Sequence, residues 1–381
     1  MSARSIASPE NQSATFIELF FDLVFVFSVT QVVSLLHGGL TLEAVGQAVL
    51  VFWMVWWAWT QFTWSLNAAD TTHPWVEIGT LAGTAVAFFM AVALPDAFRG
   101  QALVFAVPYV LVRVIGLVLY IWVASENPAL RAAVRNFALL SIGGLVMALI
   151  GAAVGGSLQY VLWGIAILLD IIAAMIGGQS EDWNLHPEHF SERHGLFVII
   201  ALGETLIVAA AGLTGAAWTG DLIAVAVLAV AVTCGLWWSY FARAKPIMDH
   251  AMEVLHGSAQ SMLARDAYSL MHFPMLCGII AYAVAIEEMV AHPAEPLHLD
   301  GQLALAAGVL LFVGGLALAL WRGTQRLFLP RILLTLLTVI AVVAVSGVAP
   351  ALSLGIVLVG LVIMALIEQR SQSMILDTQP E

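Results

Sequence analysis

Long apolar runs constrain this chain more than any other feature of its sequence. A helix of ~20 residues, rising 1.5 Å per residue, crosses a ~30 Å hydrocarbon core. The chain is 61% hydrophobic and 10% charged, with a mean hydropathy of +0.97, whereas soluble domains carry about 25% charged residues. The runs are too long for barrel strands and do not alternate in period two. We therefore predict an all-α, polytopic membrane protein of about twelve transmembrane helices. The predicted spans are residues 15–37, 43–66, 76–96, 102–123, 136–156, 159–178, 190–212, 219–242, 267–291, 302–321, 331–349 and 350–368.

The positions of Lys and Arg predict the orientation of these helices. Cytoplasmic loops collect basic residues, and nearly all basic residues of this chain fall on the side of the N-terminus. The exceptions are Arg99, in a loop on the other side, and Arg113, within the fourth helix. The sequence thus predicts a bacterial inner-membrane protein whose N-terminal tail 1–14 and C-terminal tail 369–381 are both cytoplasmic.

Composition and motifs exclude several classes of function. The 13 basic residues are outnumbered by 25 acidic ones, for a net charge of −12, which argues against a nucleic-acid partner. No P-loop, nucleophile elbow or HExxH motif is present. Histidines at positions 186, 189 and 194 lack the spacing of a zinc signature and are interpreted as residues of a cytoplasmic loop. The sequence therefore predicts no cofactor and no metal site, and its one certain partner is the lipid bilayer.

Two pairs of matching segments indicate an internal repeat. Glu18–Gln31 and Glu192–Glu204 each open on a glutamate and reach a polar residue a dozen positions later, and the aromatic run Trp56–Trp59 returns as Trp237–Tyr240. Six helices per copy is an even number, so the copies enter the membrane in the same direction, as in parallel-repeat transporters. We predict two six-helix repeats in parallel orientation, at residues 15–178 and 190–368, joined by a polar cytoplasmic connector at 179–189.

Four segments resemble the bacterial low temperature requirement A (LtrA) family. They are ELFFDLVFVF at Glu18–Phe27, WWAWTQFTW at Trp56–Trp64, ERHGLFVIIALGE at Glu192–Glu204 and RDAYSLMHFP at Arg265–Pro274. The similarity extends over nearly the whole chain. It implies a polytopic inner-membrane protein, but the family name describes a cold-growth phenotype and supplies no biochemical activity.

Two carboxylates stand in the first apolar run. Thr15 and Glu18 fit a capping box, in which the glutamate three residues on satisfies a free amide at the helix start. Asp22 lies ~10 Å further along the helix, where no free amides remain. A carboxylate in the bilayer is unfavourable by ~2.5–3.5 kcal/mol, so it must face the interior of the bundle. Asp22 is therefore interpreted either as part of an ion pathway or as half of a structural ion pair.

Further charges lie deep in other helices. Arg113 and Asp170 are each 11 residues from the outer ends of their helices, ~16 Å in, and equal depth predicts that they pair. Glu204 lies in the seventh helix, and Arg193 precedes it on the same helix face. Function and structure both remain open for Glu204.

An excess of deep acids over deep bases is the main functional signal. Arg113 is counted as the single deep base against Asp22, Asp170 and Glu204, which leaves at least two carboxylates without a basic partner. Burial favours the neutral form of an acid unless a cation is near. Such acids are candidates for exchanging a proton or binding a monovalent cation.

Aromatic and histidine residues supply the remaining candidates. Trp57 and Trp64 lie on one face of the second helix, and Trp237 belongs to the matching run of the second half. These indoles are interpreted either as packing residues or as the wall of a cavity that holds an organic cation. His272 stands beside Pro274, which frees a backbone carbonyl and predicts a kink or gate.

Two functions fit these residues. In the first, the protein is a secondary transporter or channel for a proton, a monovalent cation or a cation-coupled solute, with pathway candidates at Glu18, Asp22, Arg113, Asp170, Arg193, Glu204 and His272. In the alternative, it is a membrane-embedded enzyme or sensor that acts on a lipid or binds a cofactor. A route reaching both faces of the membrane favours transport, and a cavity open to one face favours the alternative. The substrate and the oligomeric state do not follow from the sequence.

Overall fold

The computed structural model describes residues 5–9, 12–37, 39–177, 185–345 and 347–376. Much of the predicted connector 179–189, and parts of the predicted tails 1–14 and 369–381, lie outside these residues.

Twelve helices make up the described chain. Their bounds are α1 Phe16–Leu35, α2 Leu42–Ala68, α3 Pro74–Ala93, α4 Ala102–Glu126, α5 Pro128–Val154, α6 Gly156–Gly177, α7 Pro187–Leu213, α8 Gly220–Val254, α9 Gly257–Ala291, α10 Leu299–Thr324, α11 Leu329–Ala344 and α12 Pro350–Leu376.

Eleven of these helices are long and apolar enough to cross a membrane. The shorter one, α11, has 16 residues, or a length of ~24 Å. Large apolar side chains cover the exposed faces of the helices; Leu139, Ile207 and Ile340 are each more than 60% exposed. A soluble protein does not expose apolar surface on this scale, and the predicted all-α, multi-pass membrane fold is confirmed.

Helices α8 and α9 extend beyond the predicted spans 219–242 and 267–291. Each runs for 35 residues. Their added turns include the polar sequence Lys245–Val254, which a search for apolar runs passes over because only one face of such a helix is apolar. The predicted inner ends of both helices were therefore wrong.

Each of these two helices also contains a stretch of π-helix. The stretches are Trp238–Ala244 in α8 and Ala264–Leu270 in α9. Pro274 follows the second stretch and has no N–H to offer the carbonyl of residue 270, four positions earlier. The predicted kink or gate at Pro274 stays a prediction; the structure shows a change of helix type just before it.

The chain forms two compact units. Unit 1 comprises the described residues of Met1–Phe197 and Met252–Ser269, and unit 2 those of Val198–Ala251 and Leu270–Glu381. In unit 1, α3 packs on α1 and α4, and α5 packs between α4 and α6. In unit 2, α9 packs on α10, α10 on α11, α11 on α12, and α12 on α8. The six-helix repeat itself stays a prediction.

Helix α2 forms the core of unit 1. Residues 54–63 are all buried, as expected of a helix that is surrounded on every side. It packs against α1, α4 and α6. Its side chains donate hydrogen bonds to polar groups of α1, α4 and α9, namely the Asp22 carboxylate, the Arg113 carbonyl and Ser269. This helix therefore positions most of the candidate site.

Candidate functional site

The start of α1 holds the first candidate, Glu18. Its carboxylate accepts hydrogen bonds from the Thr15 backbone N–H and the Thr15 hydroxyl, both at 2.9 Å. The glutamate half of the predicted capping box is thus present. Glu18 is nevertheless fully buried, so it does more than close a helix end at a solvated surface.

Arg193 joins Glu18 to Asp22. Its Nη1 donates to Glu18 Oε1 at 2.5 Å and its Nη2 to Asp22 Oδ1 at 2.5 Å, while Nε donates to Asp22 Oδ2 at 3.2 Å. All three residues have no exposed surface. One guanidinium therefore bridges two buried carboxylates, and we call Glu18, Asp22, Arg193 and the adjacent His189 the acid cluster.

The prediction that at least two of Asp22, Asp170 and Glu204 lack a basic partner was wrong, because Asp22 pairs with Arg193 and Asp170 with Arg113. The predicted seventh helix begins at residue 190, so that Arg193 falls in its first turn. The structure begins α7 at Pro187, which puts Arg193 more than a turn inside the helix, at the level of the two acids of α1. Arg193 adds one base and the buried Glu18 adds one acid, so the excess of two deep acids is unchanged.

Trp59 of α2 completes the coordination of Asp22. Its indole Nε1 donates to Asp22 Oδ1 at 2.7 Å, and its ring lies 5.7 Å from the Arg193 guanidinium carbon. The edge of Phe197 closes against the same ring. An aromatic wall of this kind excludes water and strengthens the electrostatic interactions inside it.

His189 is held on both of its ring nitrogens. Nε2 lies 3.0 Å from Glu18 Oε1, and Nδ1 lies 3.0 Å from the side-chain amide nitrogen of Asn67. The Asn67 amide also pairs with the backbone of His186, donating to its carbonyl at 3.0 Å and accepting from its N–H at 2.9 Å. These two bonds fix which end of the amide faces His189.

The interpretation of the histidines before the seventh helix as loop residues was wrong for two of them. His189 and His194 lie inside α7 and are fully buried, because the helix begins earlier than its apolar run. Within the described ranges, no group of three or more His, Cys, Asp or Glu side chains is arranged to hold a metal ion.

A second buried ion pair joins α4 to α6. Arg113 and Asp170 form two parallel hydrogen bonds of 2.9 and 2.7 Å, as equal depth in the membrane predicted. The Arg113 guanidinium also donates to the Tyr109 hydroxyl at 2.8 Å and to the side-chain oxygen of Gln61. The pair is neutral, and the Arg113 guanidinium donates hydrogen bonds to three side chains. Both features favour a structural role.

A cavity lies beside this pair. Two of the predicted aromatic residues, Trp57 and Trp64, line it, but Trp237 does not: it is 42% exposed and stacks on Phe241. We call this space the aromatic cavity. Its lining residues are Trp57, Thr60, Gln61, Trp64, Tyr120, Phe137, Ala174, Gly177, Arg265 and Ser269.

The remaining candidates lie in unit 2. Glu204, on the second half of α7, is 4% exposed, and its function stays a prediction. His272 is fully buried, with its Nε2 2.7 Å from the Tyr240 hydroxyl. This contact joins α9 to the π-helical stretch of α8.

Sequence reasoning missed Trp59, Asn67 and the site role of His189. A signal existed, since Trp59 and Asn67 lie eight residues apart, near the period at which one helix face returns. Their partners come from α1 and α7, which are far away in the sequence, so the contact itself was not predictable from spacing.

Comparison with known proteins agrees with this architecture. The pattern that describes the bacterial low temperature requirement A protein family matches residues 13–367. The chain is also similar to the "Uncharacterized protein RA0937" of Rhizobium meliloti (strain 1021), with 30% identity over 317 residues, covering 80% of this chain and 76% of that protein. No solved structure matches it. A match over nearly the whole chain is decisive, and the chain belongs to the bacterial low temperature requirement A (LtrA) family.

Proposed function

We propose that this protein is a secondary transporter or channel of the bacterial inner membrane that takes up and releases a proton at the acid cluster. The observation that supports the proposal is the sharing of one guanidinium by two fully buried carboxylates.

The charges of the cluster do not cancel. Glu18 and Asp22, when ionised, supply two negative charges, and Arg193 supplies one positive charge. An uncompensated charge in a region of low dielectric is strongly unfavourable. The excess is removed if His189 is protonated, if a proton binds to one carboxylate, or if a cation binds.

Asn67 argues against a charged His189. Its amide nitrogen donates to His189 Nδ1, because its oxygen is engaged by the His186 backbone N–H. A protonated imidazole carries a hydrogen on both nitrogens, so Nδ1–H would then face another N–H. Turning the amide would remove this conflict only by breaking both backbone bonds. The hydrogen bonds of Asn67 therefore favour the tautomer of His189 that accepts at Nδ1 and donates from Nε2 to Glu18.

Asp22 Oδ2 is the atom best placed to receive the proton. Both Glu18 oxygens accept two or more hydrogen bonds, and Asp22 Oδ1 accepts from Trp59 and Arg193. Among the described residues, Oδ2 accepts one long bond of 3.2 Å, from Arg193 Nε. A carboxylate oxygen has two lone pairs, so a proton on Oδ2 displaces none of the existing donors.

A metal cation is less suited to this site than a proton. Hard cations require several oxygen ligands around one point, and here the space between the two carboxylates is occupied by the Arg193 guanidinium. A second cation beside it would be repelled. The supported coupling ion is therefore the proton.

The distribution of basic residues places both termini of the proposed transporter in the cytoplasm. The acid cluster then lies near the cytoplasmic ends of α1 and α7. A proton then needs a route toward the opposite face. Glu204 is the candidate for the next site on that route, because it is buried on the same helix as Arg193, eleven residues further on.

The test is proton flux in liposomes that contain a trapped pH dye. A potassium gradient with valinomycin sets the membrane potential that drives protons inward. We expect the parent protein to acidify the lumen, and Asp22→Asn to fall to the rate of empty liposomes, since the amide keeps the shape of the side chain but cannot bind the proton.

The matched control is Glu77→Gln, which neutralises an exposed carboxylate on α3 and should leave the flux unchanged. Size-exclusion profiles establish that all variants are folded. Equal flux in the parent and in Asp22→Asn would contradict the proposed site. Absence of proton flux from the parent would contradict a proton channel, and would favour either a carrier that moves protons only together with a solute or the membrane enzyme or sensor.

A further inference from the structure

The aromatic cavity is a second site, formed by residues that the proposed proton exchange does not use. Its walls come from α2, α4, α5, α6 and the first turns of α9, and all the lining residues belong to unit 1. Four aromatic side chains line it: Trp57, Trp64, Tyr120 and Phe137. Polar groups interrupt these apolar walls at a few points, which is the usual composition of a pocket for a small molecule.

One polar group in the wall is buried without a partner. The Thr60 hydroxyl, on a residue 1% exposed, has no hydrogen bond among the described residues. The Trp57 indole N–H, in contrast, interacts with the carboxylate of Asp170, which Arg113 also engages. A buried hydroxyl without a partner is unfavourable by about 1–3 kcal/mol, so an occupant that bonds to it recovers this energy.

Arg265 gives the cavity a charged wall. It lies on the π-helical stretch of α9, one turn before Ser269, and its side chain is 10% exposed. Its Nε and Nη2 both turn to a single oxygen of Asp266, at 2.6 Å. Its Nη1 approaches the carbonyl of Met175 only at 3.5 Å.

The guanidinium therefore keeps binding capacity. It has five N–H donors in a fixed plane, and the contacts to Asp266 and Met175 use at most three of them. Asp266 balances the charge of Arg265 but holds only one side of the guanidinium. The remaining N–H donors, at the wall of an apolar cavity, favour a ligand with acceptor oxygens, such as a carboxylate, over a cation. The tryptophans alone suggested an organic cation as the ligand of this cavity. The presence of Arg265 in its wall favours a ligand of the opposite charge.

The size of the cavity limits its occupant. Its volume is about 40 Å³, and one water molecule requires about 10–15 Å³ of such volume. About three waters fit, or ~90 Å³ of liquid, which is the space of roughly four or five non-hydrogen atoms.

We propose that the aromatic cavity binds a small monocarboxylate. Its carboxylate pairs with the free edge of Arg265 and accepts a hydrogen bond from the Thr60 hydroxyl. Its short apolar end lies against the indole rings of Trp57 and Trp64. Binding at this site does not require proton exchange at the acid cluster, so each proposal can fail without the other.

The test is saturation-transfer NMR on the protein in nanodiscs of deuterated lipid, with propionate as the probe. Propionamide has the same shape without the charge, and ethylammonium carries the opposite charge. All samples contain the same concentration of potassium chloride, which removes general effects of ionic strength. We expect transfer to propionate, reduced when acetate is added as a competitor, and little transfer to the other two compounds.

Two variants locate the site. Arg265→Gln should weaken propionate binding about tenfold or more, the usual effect of losing a charge-assisted hydrogen bond. Thr60→Val, which keeps the shape of the side chain, should weaken it less. Arg135→Gln, on an exposed arginine of α5, is the matched control and should bind as the parent does.

Three outcomes would overturn the inference. They are equal transfer to propionate and propionamide, propionate binding that both Arg265→Gln and Thr60→Val retain, and no transfer to propionate in the parent. The third would identify the cavity as a site for water alone. If Arg265→Gln does not fold, Thr60→Val together with the comparison of probes decides the question.

Discussion

Two buried arginines of this protein, Arg113 and Arg193, are used in opposite ways. Arg113 faces a single carboxylate, Asp170, through two parallel bonds, so the pair is neutral without further help. Arg193 divides its donors between two carboxylates, Glu18 and Asp22. Only the second arrangement leaves a charge for a mobile ion to balance. For this reason we propose a structural role for Arg113 and a functional role for Arg193.

The neutral pair can be tested by a double-mutant cycle. Arg113→Gln leaves Asp170 buried without its partner and should lower stability by about 3–5 kcal/mol. Adding Asp170→Asn removes the orphaned charge and should recover much of that loss. The measurement is the apparent unfolding temperature in detergent, read from the fraction of protein that stays monodisperse after heating.

The control for this cycle is the partly exposed pair of Lys245 and Asp249, whose separation should change stability by about 0–1 kcal/mol. If the double variant were as unstable as Arg113→Gln alone, the assignment of Arg113 and Asp170 as a self-contained structural pair would be wrong.

Of the two buried arginine pairs, one could be predicted from the sequence and the other could not. The Arg113 and Asp170 pair was predictable, because two charges at the same depth in a medium without water have few alternatives. The partner of Asp22 was not, because Arg193 lies near a helix end, and a shift of three residues in the assigned start of α7 moves it from rim to interior. Depth estimates therefore succeed at the middle of a helix and fail near its ends.

At the scale of elements, close helix packing in unit 2 depends on glycine. Gly278 of α9 faces α10, and a Cβ added there would come within 2.6 Å of the backbone nitrogen of Phe312 and 2.8 Å of the carbonyl of Gly308. Backbone cannot yield as a flexible side chain does. Small residues at helix interfaces serve the same purpose in other membrane proteins.

Two glycine substitutions should have effects of opposite sign. Gly278→Ala should destabilise the protein by about 1–3 kcal/mol through overpacking. Gly314→Ala, on α10, meets nothing within 4 Å and should be neutral or stabilising by up to ~1 kcal/mol, because alanine favours the helix. Thermal stability measured by fluorescence-detected size exclusion compares them directly. Equal effects of the two changes would mean that α9 and α10 do not approach as closely as described.

The lengths of the apolar runs predict where the helices lie but not where they end. They located the middles of all twelve helices, but they missed the polar turns Lys245–Val254 of α8 and the first turns of α9. Those turns contain or adjoin the π-helical stretches, and the second stretch supplies Arg265 and Ser269 to the aromatic cavity. Irregular helix of this kind often marks functional sites, and no apolar pattern reveals it.

At the scale of the whole molecule, orientation depends on whether α11 crosses the membrane. Its 16 residues span ~24 Å, short of a ~30 Å core. Arg331, near its start, pairs with Glu368 of α12 through bonds of 2.8 and 2.9 Å. The start of α11 thus lies beside the far part of α12, so the two helices run in opposite directions. Because α12 is long enough to span, α11 must return across nearly the same thickness, with local thinning of the bilayer for the remainder.

Reporter fusions test this arrangement together with the predicted cytoplasmic termini. Alkaline phosphatase is active only outside the cytoplasm, and green fluorescent protein exported in unfolded form is fluorescent only inside it. We expect phosphatase activity for a fusion at residues 347–349, between α11 and α12, and none at 325–328, between α10 and α11. A fluorescent fusion at the C-terminus should be bright. The reverse pattern would invert the whole molecule, and phosphatase inactive at both loops would mean that α11 does not cross, which would place the C-terminus outside and contradict the cytoplasmic assignment of both ends.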